Sequence, residues 1–324
     1  MTAGVRVGVI GRGFGARFVA PAFEATEGCE VVDVVSPRDA GAVAALCARA
    51  DVDLVSVHSP PFLHLDNVRT AIEAGHAVVC DKPFGRNAGE AEQMHDLARD
   101  AGVVNLLNFE NRYDPARERL RRLVQEGAIG QPDHFRDSTV LATTRVPLRP
   151  YGWLFDDDLG GGWLRSLGSH EIDFVRWCFG EVVDAVGELR TTITERPDVD
   201  GQMHECTADD GFTAALRLAN GVTAIIDSTS ASPLNLPPEM MVIGTDGVLH
   251  AQLDRITLAR PEQEVEHIEV ESGPPLLFAQ QLYAAVARDA VQRGAAEPGT
   301  PTFADGLACV QVMDQLRRRP VPAS

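Results

Sequence analysis

An α/β fold, with a doubly wound parallel sheet over residues 1–120 and an α+β domain with an open, mostly antiparallel sheet over residues 121–324, follows from three observations. Short, wholly apolar runs alternate with helix-period runs through the first third of the chain; strands buried on both faces read this way. A glycine turn stands between the first strand and the first helix. After residue 120 the texture changes to strand-like runs joined by turns, which suits hairpins rather than crossovers.

In order, "VRVGVI" (5–10) is a strand, "GRGFGARFVAPAFEATEG" a glycine turn and helix, "CEVVDVVS" a second strand and "DAGAVAALCARA" a second helix. "VDLVSVHSPP" is a third strand, "HLDNVRTAIEAG" a helix, "HAVVC" a fourth strand and "VVNLLNF" a fifth. The helix between the last two carries Ala91, Met94, Ala98 and Ala101 on one stripe. It opens with Asn87 and Glu90 three apart, the spacing of a capping box. In the second half, Asn220-Gly221 is a two-residue hairpin signal. With that turn Leu216 and Leu218 share a face with Thr223 and Ile225. Helices are expected at about 163–179, 275–293 and 302–318, all three in the second domain.

Formal net charge is -18, so no basic surplus exists to neutralise phosphates and nucleic acid is not an expected partner. No apolar run approaches the roughly 18 residues of a membrane span. The N-terminal run goes straight into a strand without the apolar core of a signal peptide, so a cytoplasmic protein is expected. The six cysteines are scattered with no CxxC pair, which points to reduced structural thiols rather than zinc. No metal site is expected, and the run Asp156-Asp157-Asp158 reads as a solvated loop.

Gly11-Arg12-Gly13-Phe14-Gly15-Ala16 fits G-x-G-x-x-G/A between a strand and a helix. Such a turn brings backbone to a pyrophosphate and points a helix N-terminus at it, so Gly11, Gly13, Phe14, Gly15 and Ala16 are expected to bind a dinucleotide. An acidic residue ending the second strand would bond the ribose of NAD. The chain has Ser36-Pro37-Arg38 there, with Asp33 inside the strand; a hydroxyl and a guanidinium suit a 2'-phosphate. NADP is the expected cofactor, NAD the alternative, with Asp39 as its candidate ribose partner.

In an open parallel sheet, ligands bind beyond the carboxyl ends of the strands. Ser59, Pro60 and His64 in "SPPFLH" and Asp81-Lys82-Pro83 lie on that edge, so Ser59, Pro60, His64, Asp81 and Lys82 join the expected cofactor site. In "GGGWLRSLGSHEIDFVRW" (160–177), Ser166, His170 and Asp173 fall at i, i+4 and i+7, one face of a helix. Gly168 in the same helix suggests close approach to another group. Trp153, Trp163 and Tyr151 surround the glycines and are either substrate-lining aromatics or core.

These motifs, with "GVIGRGFG", "HSPPFLH", "AIEAGHAVVCDKPFG", "NRYDPARERLRRLVQEGAIG" and "VIGTDGVL", resemble the Gfo/Idh/MocA oxidoreductases across nearly the whole chain. The resemblance implies a Rossmann domain and hydride transfer between NAD(P) and a carbinol carbon of a sugar, cyclitol or related polyhydroxy compound. It implies that Lys82 contacts the reacting oxygen and His170 is the general acid/base. Arg112 matches a family arginine of structural character. The family's aspartate four residues before the histidine is Ser166 here, which carries no charge; Asp173 is within reach by spacing. Lys82, His170 and Ser166 are thus the catalytic candidates, and Lys82, Trp153, Trp163, Ser166, His170 and Asp173 the substrate-binding ones. A dinucleotide-binding sensor that has lost turnover is the alternative. A small polyhydroxy substrate and a homodimer or homotetramer built on the open sheet complete the expectations.

Overall fold

The first five strands of the chain are short and form one parallel sheet; four of them are largely buried, while the second, at the sheet edge, buries only Val35. The computed structural model describes residues 4–270 and 276–318. Two units divide the chain: residues 1–113 with 274–310, and residues 114–273 with 311–324.

The first unit begins with β1 (Val5–Ile10), followed by a π-helical turn (Gly15–Val19) that runs into α1 (Ala20–Glu24). Then come β2 (Cys29–Val35), α2 (Ala40–Cys47), β3 (Leu54–Val57), α3 (His64–Glu73), β4 (Ala77–Asp81), α4 (Ala88–Ala101) and β5 (Asn105–Asn108). The sheet order is β2-β1-β3-β4-β5, the order that successive strand–helix–strand crossovers produce. The cap of α4 departs in detail from the expected box. Asn87 Oδ1 accepts the Glu90 N–H at 3.1 Å, but the Glu90 carboxylate reaches back to the N–H of Arg86 at 2.9 Å, one residue further out.

The second unit opens with α5 (Pro115–Gln125), capped by Asp114, and then β6 (Pro132–Val140). A π-helical turn (Leu164–Gly168) leads into α6 (Ser169–Phe179). Next are β7 (Val182–Arg190), the small hairpin β8 (Glu195–Pro197) and β9 (Met203–Glu205), β10 (Gly211–Leu218) and β11 (Thr223–Thr229). β12 (Glu239–Gly244), β13 (Val248–Gln252), β14 (Arg255–Ala259) and β15 (Glu266–Glu269) finish an eight-stranded sheet ordered β15-β14-β13-β12-β6-β11-β10-β7. β6 and β11 run parallel and every other neighbouring pair is antiparallel.

The hairpin register differs from expectation. Leu216 pairs with Ala224 and Arg217 with Thr223, and the Leu218 N–H donates to the Val222 carbonyl at 2.9 Å. The connection is therefore three residues long, with Gly221 at φ +91°. Leu216 and Leu218 share the buried face with Ala224 and Ile226, while Thr223 and Ile225 face outward. One extra turn residue reverses every side chain beyond it, because the strand period is two.

Two helices close the chain, α7 (Leu276–Arg293) and α8 (Phe303–Arg318). Residue 275, where the expected helix starts, lies outside the described residues. α7 belongs to the first unit, not to the second domain as the sequence reading had it. Tyr283, Ala284, Ala287 and Ala290 pack on Val5, Val7, Leu54, Val79 and Leu106 of the parallel sheet. Small residues on one stripe let the helix lie close to the sheet, and burying them there removes apolar area from water at about 25 cal/mol per Å². Arg112, 5% exposed at its side chain, donates to the Gly299 carbonyl and to Asp305, both at 2.9 Å, and so ties this returning segment down as a structural residue should.

Candidate functional site

The site elements of the first unit share one edge of the parallel sheet. Register places Ile10 beside Val35 and Val57, Val57 beside Cys80, and Asp81 beside Asn108. The residues just past those ends, Gly11, Ser36, His58 and Lys82, therefore emerge together. Gly11 has φ +153°, donates its N–H to the Val35 carbonyl at 3.0 Å, and would put a Cβ 2.6 Å from the His58 carbonyl oxygen. Only glycine fits that approach. Gly13 faces open space within 4 Å, and Gly15 packs on His58. The Phe14 ring lies 6.0 Å from the imidazole of His58. Ala16 sits in the π-helical turn that begins the helix.

At the end of β2, the Arg38 N–H donates to Ser36 Oγ at 3.4 Å. Asp39 is occupied as the cap of α2, its Oδ1 accepting the Ala42 N–H at 3.0 Å. Asp33 lies within β2, opposite Gly8. Neither carboxylate therefore stands where the strand ends.

Ser59 and Pro60 lead into α3. His64, expected at the cofactor, is fully buried and joins two loops. Its Nε2 lies 2.7 Å from the Ser59 carbonyl and its Nδ1 3.0 Å from that of Pro83. Burial lowers its pKa, so the neutral ring donates to one of the two carbonyls at a time. Lys82 follows β4 directly, through a cis bond to Pro83. It is the chain's only lysine: the other 28 of its 29 Lys and Arg residues are arginines.

Two residues missed by sequence reasoning lie at the neighbouring strand ends. His58 Nδ1 lies 3.2 Å from Asp81 Oδ2, and its Nε2 lies 2.7 Å from Ser56 Oγ. Burial pushes the Asp81 carboxyl up, but the charge and hydrogen bond of His58, helped by Lys82 and His64, outweigh it and hold the group below its ordinary value. Glu110, 8% exposed, opens a short 3-10 turn just after β5. Burial pushes its carboxyl up to about 7, with Lys82 opposing and Asp81 adding. The only sequence signals were a histidine ending "VSVH" and an acid following "LLNF", and neither motif names a partner.

In the second unit, Ser166 lies in the π-helical turn and His170, Glu171 and Asp173 on α6. The helix is not regular across Ser166, so the expected i, i+4 face does not run at 3.6 residues per turn there. The Ser166 N–H donates to the Gly162 carbonyl at 3.0 Å. His170 and Asp173 are 3% and 2% exposed. Beside them Arg117 donates to both Glu171 oxygens, at 2.7 and 2.9 Å. Burial and the Glu171 carboxylate push the neighbouring Asp137 well above the ordinary carboxylate range. Gly168 packs against Leu164 and Phe212, the close approach its position suggested.

The aromatics have local tasks. Trp163 Nε1 donates to Ser228 Oγ at 2.8 Å, and Tyr151 stacks on His204 with 4.6 Å between centroids. Trp153 is half-buried in a 3-10 turn. The aspartate run is a turn, exposed at Asp158 and half-buried at Asp156 and Asp157, that ion pairs tie down. Asp157 pairs with Arg165 at 2.8 Å and with Arg317, and Asp156 accepts the Asp158 N–H at 3.0 Å. Among the described residues no three His, Cys, Asp or Glu side chains are arranged to hold a metal, and no helix is long and apolar enough to cross a membrane.

Residues 5–109 match the model of an oxidoreductase family with an NAD-binding Rossmann fold, and residues 118–250 that of the GFO/IDH/MocA C-terminal domain. The chain is 28% identical to levoglucosan dehydrogenase of Pseudarthrobacter phenanthrenivorans over 220 residues, 63% of this chain and 56% of that one. It is 25% identical to inositol 2-dehydrogenase of Rhizobium meliloti over 342 aligned positions, 97% of this chain and 96% of that one. The chain spans between half and two thirds of several further curated relatives, 51% of one and 61% of another. A solved levoglucosan dehydrogenase, in complex with NADH and L-sorbose, superposes with a TM-score of 0.87 at 22% identity, over 97% of this chain and 96% of that one, which is a likeness of fold. With both of its halves matched, the chain belongs to the Gfo/Idh/MocA oxidoreductase family.

Proposed function

We propose that the protein is an NAD(P)-dependent oxidoreductase that moves a hydride between nicotinamide and a carbinol or carbonyl carbon of a sugar, cyclitol or related polyhydroxy compound. The observation that carries this reading is the placement of the chain's only lysine directly after β4, on the same sheet edge as the glycine turn. In this reading the turn from Gly11 to Ala16 binds the pyrophosphate, and Ser59, Pro60 and Asp81 shape the same edge. The levoglucosan and inositol dehydrogenases among the relatives support a polyol substrate.

In the oxidative direction a bound nicotinamide would supply the hydride acceptor for the carbinol carbon, and the His170 imidazole would take the hydroxyl proton. Such a base contributes about 10²–10⁴ in rate. The Lys82 ammonium stabilises negative charge developing on the oxygen. Ser166, Asp173, Trp153 and Trp163 are assigned to the substrate. NADP is the preferred cofactor in this proposal: Ser36 and Arg38 stand at the end of β2, while Asp39 is held as a helix cap. The outward face of the eight-stranded sheet exposes Val186, Ile225 and Ile243, which supports self-association as a homodimer or homotetramer.

The test pairs thermal shifts with NADP and NAD with a screen for reduced cofactor across a polyol panel. A larger shift with NADP, and reduction on at least one polyol, are expected. A larger shift with NAD overturns the cofactor choice. Tight dinucleotide binding with no reduction on any substrate favours the sensor alternative.

A further inference from the structure

His170 stands in the first turn of α6, just after regular helix geometry resumes. The turn before it, Leu164–Gly168, is π-helical, and Gly168 at the N-cap of α6 supplies no side-chain cap. A π-helical turn bonds i to i+5, so it does not hand a 3.6-residue register on to the helix that follows. The rotation of α6 about its axis is therefore set by what the helix packs against. α5 grips it at two levels. Arg117 Nη2 donates to both Glu171 oxygens, at 2.7 and 2.9 Å, and its guanidinium lies over the Phe174 ring, 5.1 Å from the centroid. One turn on, the Arg121 guanidinium lies 4.3 Å from the centroid of Trp177, and its Nε donates to the Trp177 carbonyl at 3.2 Å. Glu171, Phe174 and Trp177 follow one another three apart, as neighbours on a helix surface do. From the sheet side, Asp137 of β6 is also hydrogen-bonded to Glu171.

The Arg117 and Glu171 side chains are only 12% and 1% exposed. Dehydrating two charges costs about as much as their attraction returns, and well-packed apolar residues in their place are often neutral or stabilising. Stability alone does not account for such a pair. What it has and apolar contact lacks is direction, because two bonds from a planar guanidinium fix orientation as well as distance. Successive residues of a helix project about 100° apart, so a fixed Glu171 also fixes the bond from which the next side chain back, His170, extends. We propose that Arg117 and Glu171 are positioning residues for His170: their two-bond pair sets the rotation of α6 and so the direction of the imidazole. The inference deepens the proposed activity and rests on it for its catalytic meaning.

The test replaces the pair as a whole. Arg117→Met combined with Glu171→Leu removes both charges and is expected to unfold at a urea concentration no lower than wild type. In protein labelled with 15N-histidine, the His170 ring signals are identified by their loss in His170→Gln. They should shift in the double variant, while most of the other eight of the chain's nine histidines stay in place. Turnover on a substrate found in the polyol panel should fall about 10²-fold with KM changed less than ~3-fold, since a displaced catalytic group costs rate rather than binding. Unmoved His170 signals in the folded double variant overturn the proposal. A comparable shift of all nine histidines means general loosening and overturns it equally. Should the double variant fail to fold, Arg117→Lys keeps the charge but cannot bridge both oxygens as a planar fork. His170 should move there too, and unmoved signals count against the role. The spectra need no substrate, so moved signals in a protein that reduces no cofactor on any polyol would fail the activity reading and leave this one standing.

Discussion

Asp81 Oδ2 lies 3.2 Å from Nδ1 of His58, and the next residue in the chain is the only lysine. His58 also supports the glycine turn, through its carbonyl and Cβ under Gly11 and Gly15. One side chain thus joins the glycine turn to the strand end that carries Lys82. Removing it leaves the Asp81 carboxylate, 15% exposed, without its largest compensating charge. His58→Ala is expected to cost about 1–3 kcal/mol in urea unfolding at pH 7, as leaving a buried polar group short of its hydrogen-bond partner does. The sign follows from the depressed Asp81 pKa. Its contribution is present above the unfolded value and is lost as pH falls through the folded one, so the gap between wild type and variant should narrow toward acid pH. A gap that stays constant with pH would assign the loss to packing alone.

Gly11→Ala should abolish the thermal shift produced by the dinucleotide. The new Cβ meets backbone, the His58 carbonyl at 2.6 Å, and the positive φ adds strain of about 1–3 kcal/mol. Differential scanning fluorimetry with and without dinucleotide reads both effects.

Lys82→Arg keeps the charge but replaces a compact ammonium by a planar fork. Turnover on the substrate found in the polyol panel is expected to fall at least ~100-fold, with dinucleotide affinity changed no more than ~3-fold. Steady-state kinetics beside fluorescence titration of NADPH separates the two. Near-normal turnover would remove Lys82 from the chemistry.

Asp209 Oδ2 accepts the Leu164 N–H at 2.8 Å at the start of the α6 segment, and burial pushes its carboxyl up to about 6. Because the folded pKa lies above the unfolded one, stability is highest below the unfolded value and falls as pH rises toward 6, then levels off. Asp209→Asn keeps an acceptor and removes the charge. It should flatten that slope and gain up to ~3 kcal/mol at pH 7, measured as urea midpoints from pH 4 to 8.

At Gly168 an added methyl would sit 2.9 Å from both Leu164 Cδ1 and the Phe212 ring. Both neighbours are fully buried or nearly so, with little room to yield. Gly168→Ala is expected to lose about 1–3 kcal/mol by overpacking, despite the higher helix propensity of alanine. A neutral result in thermal unfolding would show that this contact relaxes freely.

What the sequence determined by itself was whatever depends on neighbours along the chain. The alternation of buried strands and helices, the glycine turn at Gly11 to Ala16, the Asn87 cap and the placement of Lys82 after a strand all follow from periodicity and local stereochemistry. What the tertiary structure decided depends on pairings between distant segments. The register of β10 on β11 turned on one extra loop residue, which exchanged Ile225 for Ile226 on the buried face. α7 returned to the parallel sheet because its alanine stripe fits there, and no local signal ranks one apolar surface above another. The charged groups around Lys82 belong to the same class. His58, Asp81 and Glu110 come from three different strand ends, and the lowered pKa of Asp81 and the raised pKa of Glu110 are set by burial and neighbouring charge, which exist only once the chain has folded.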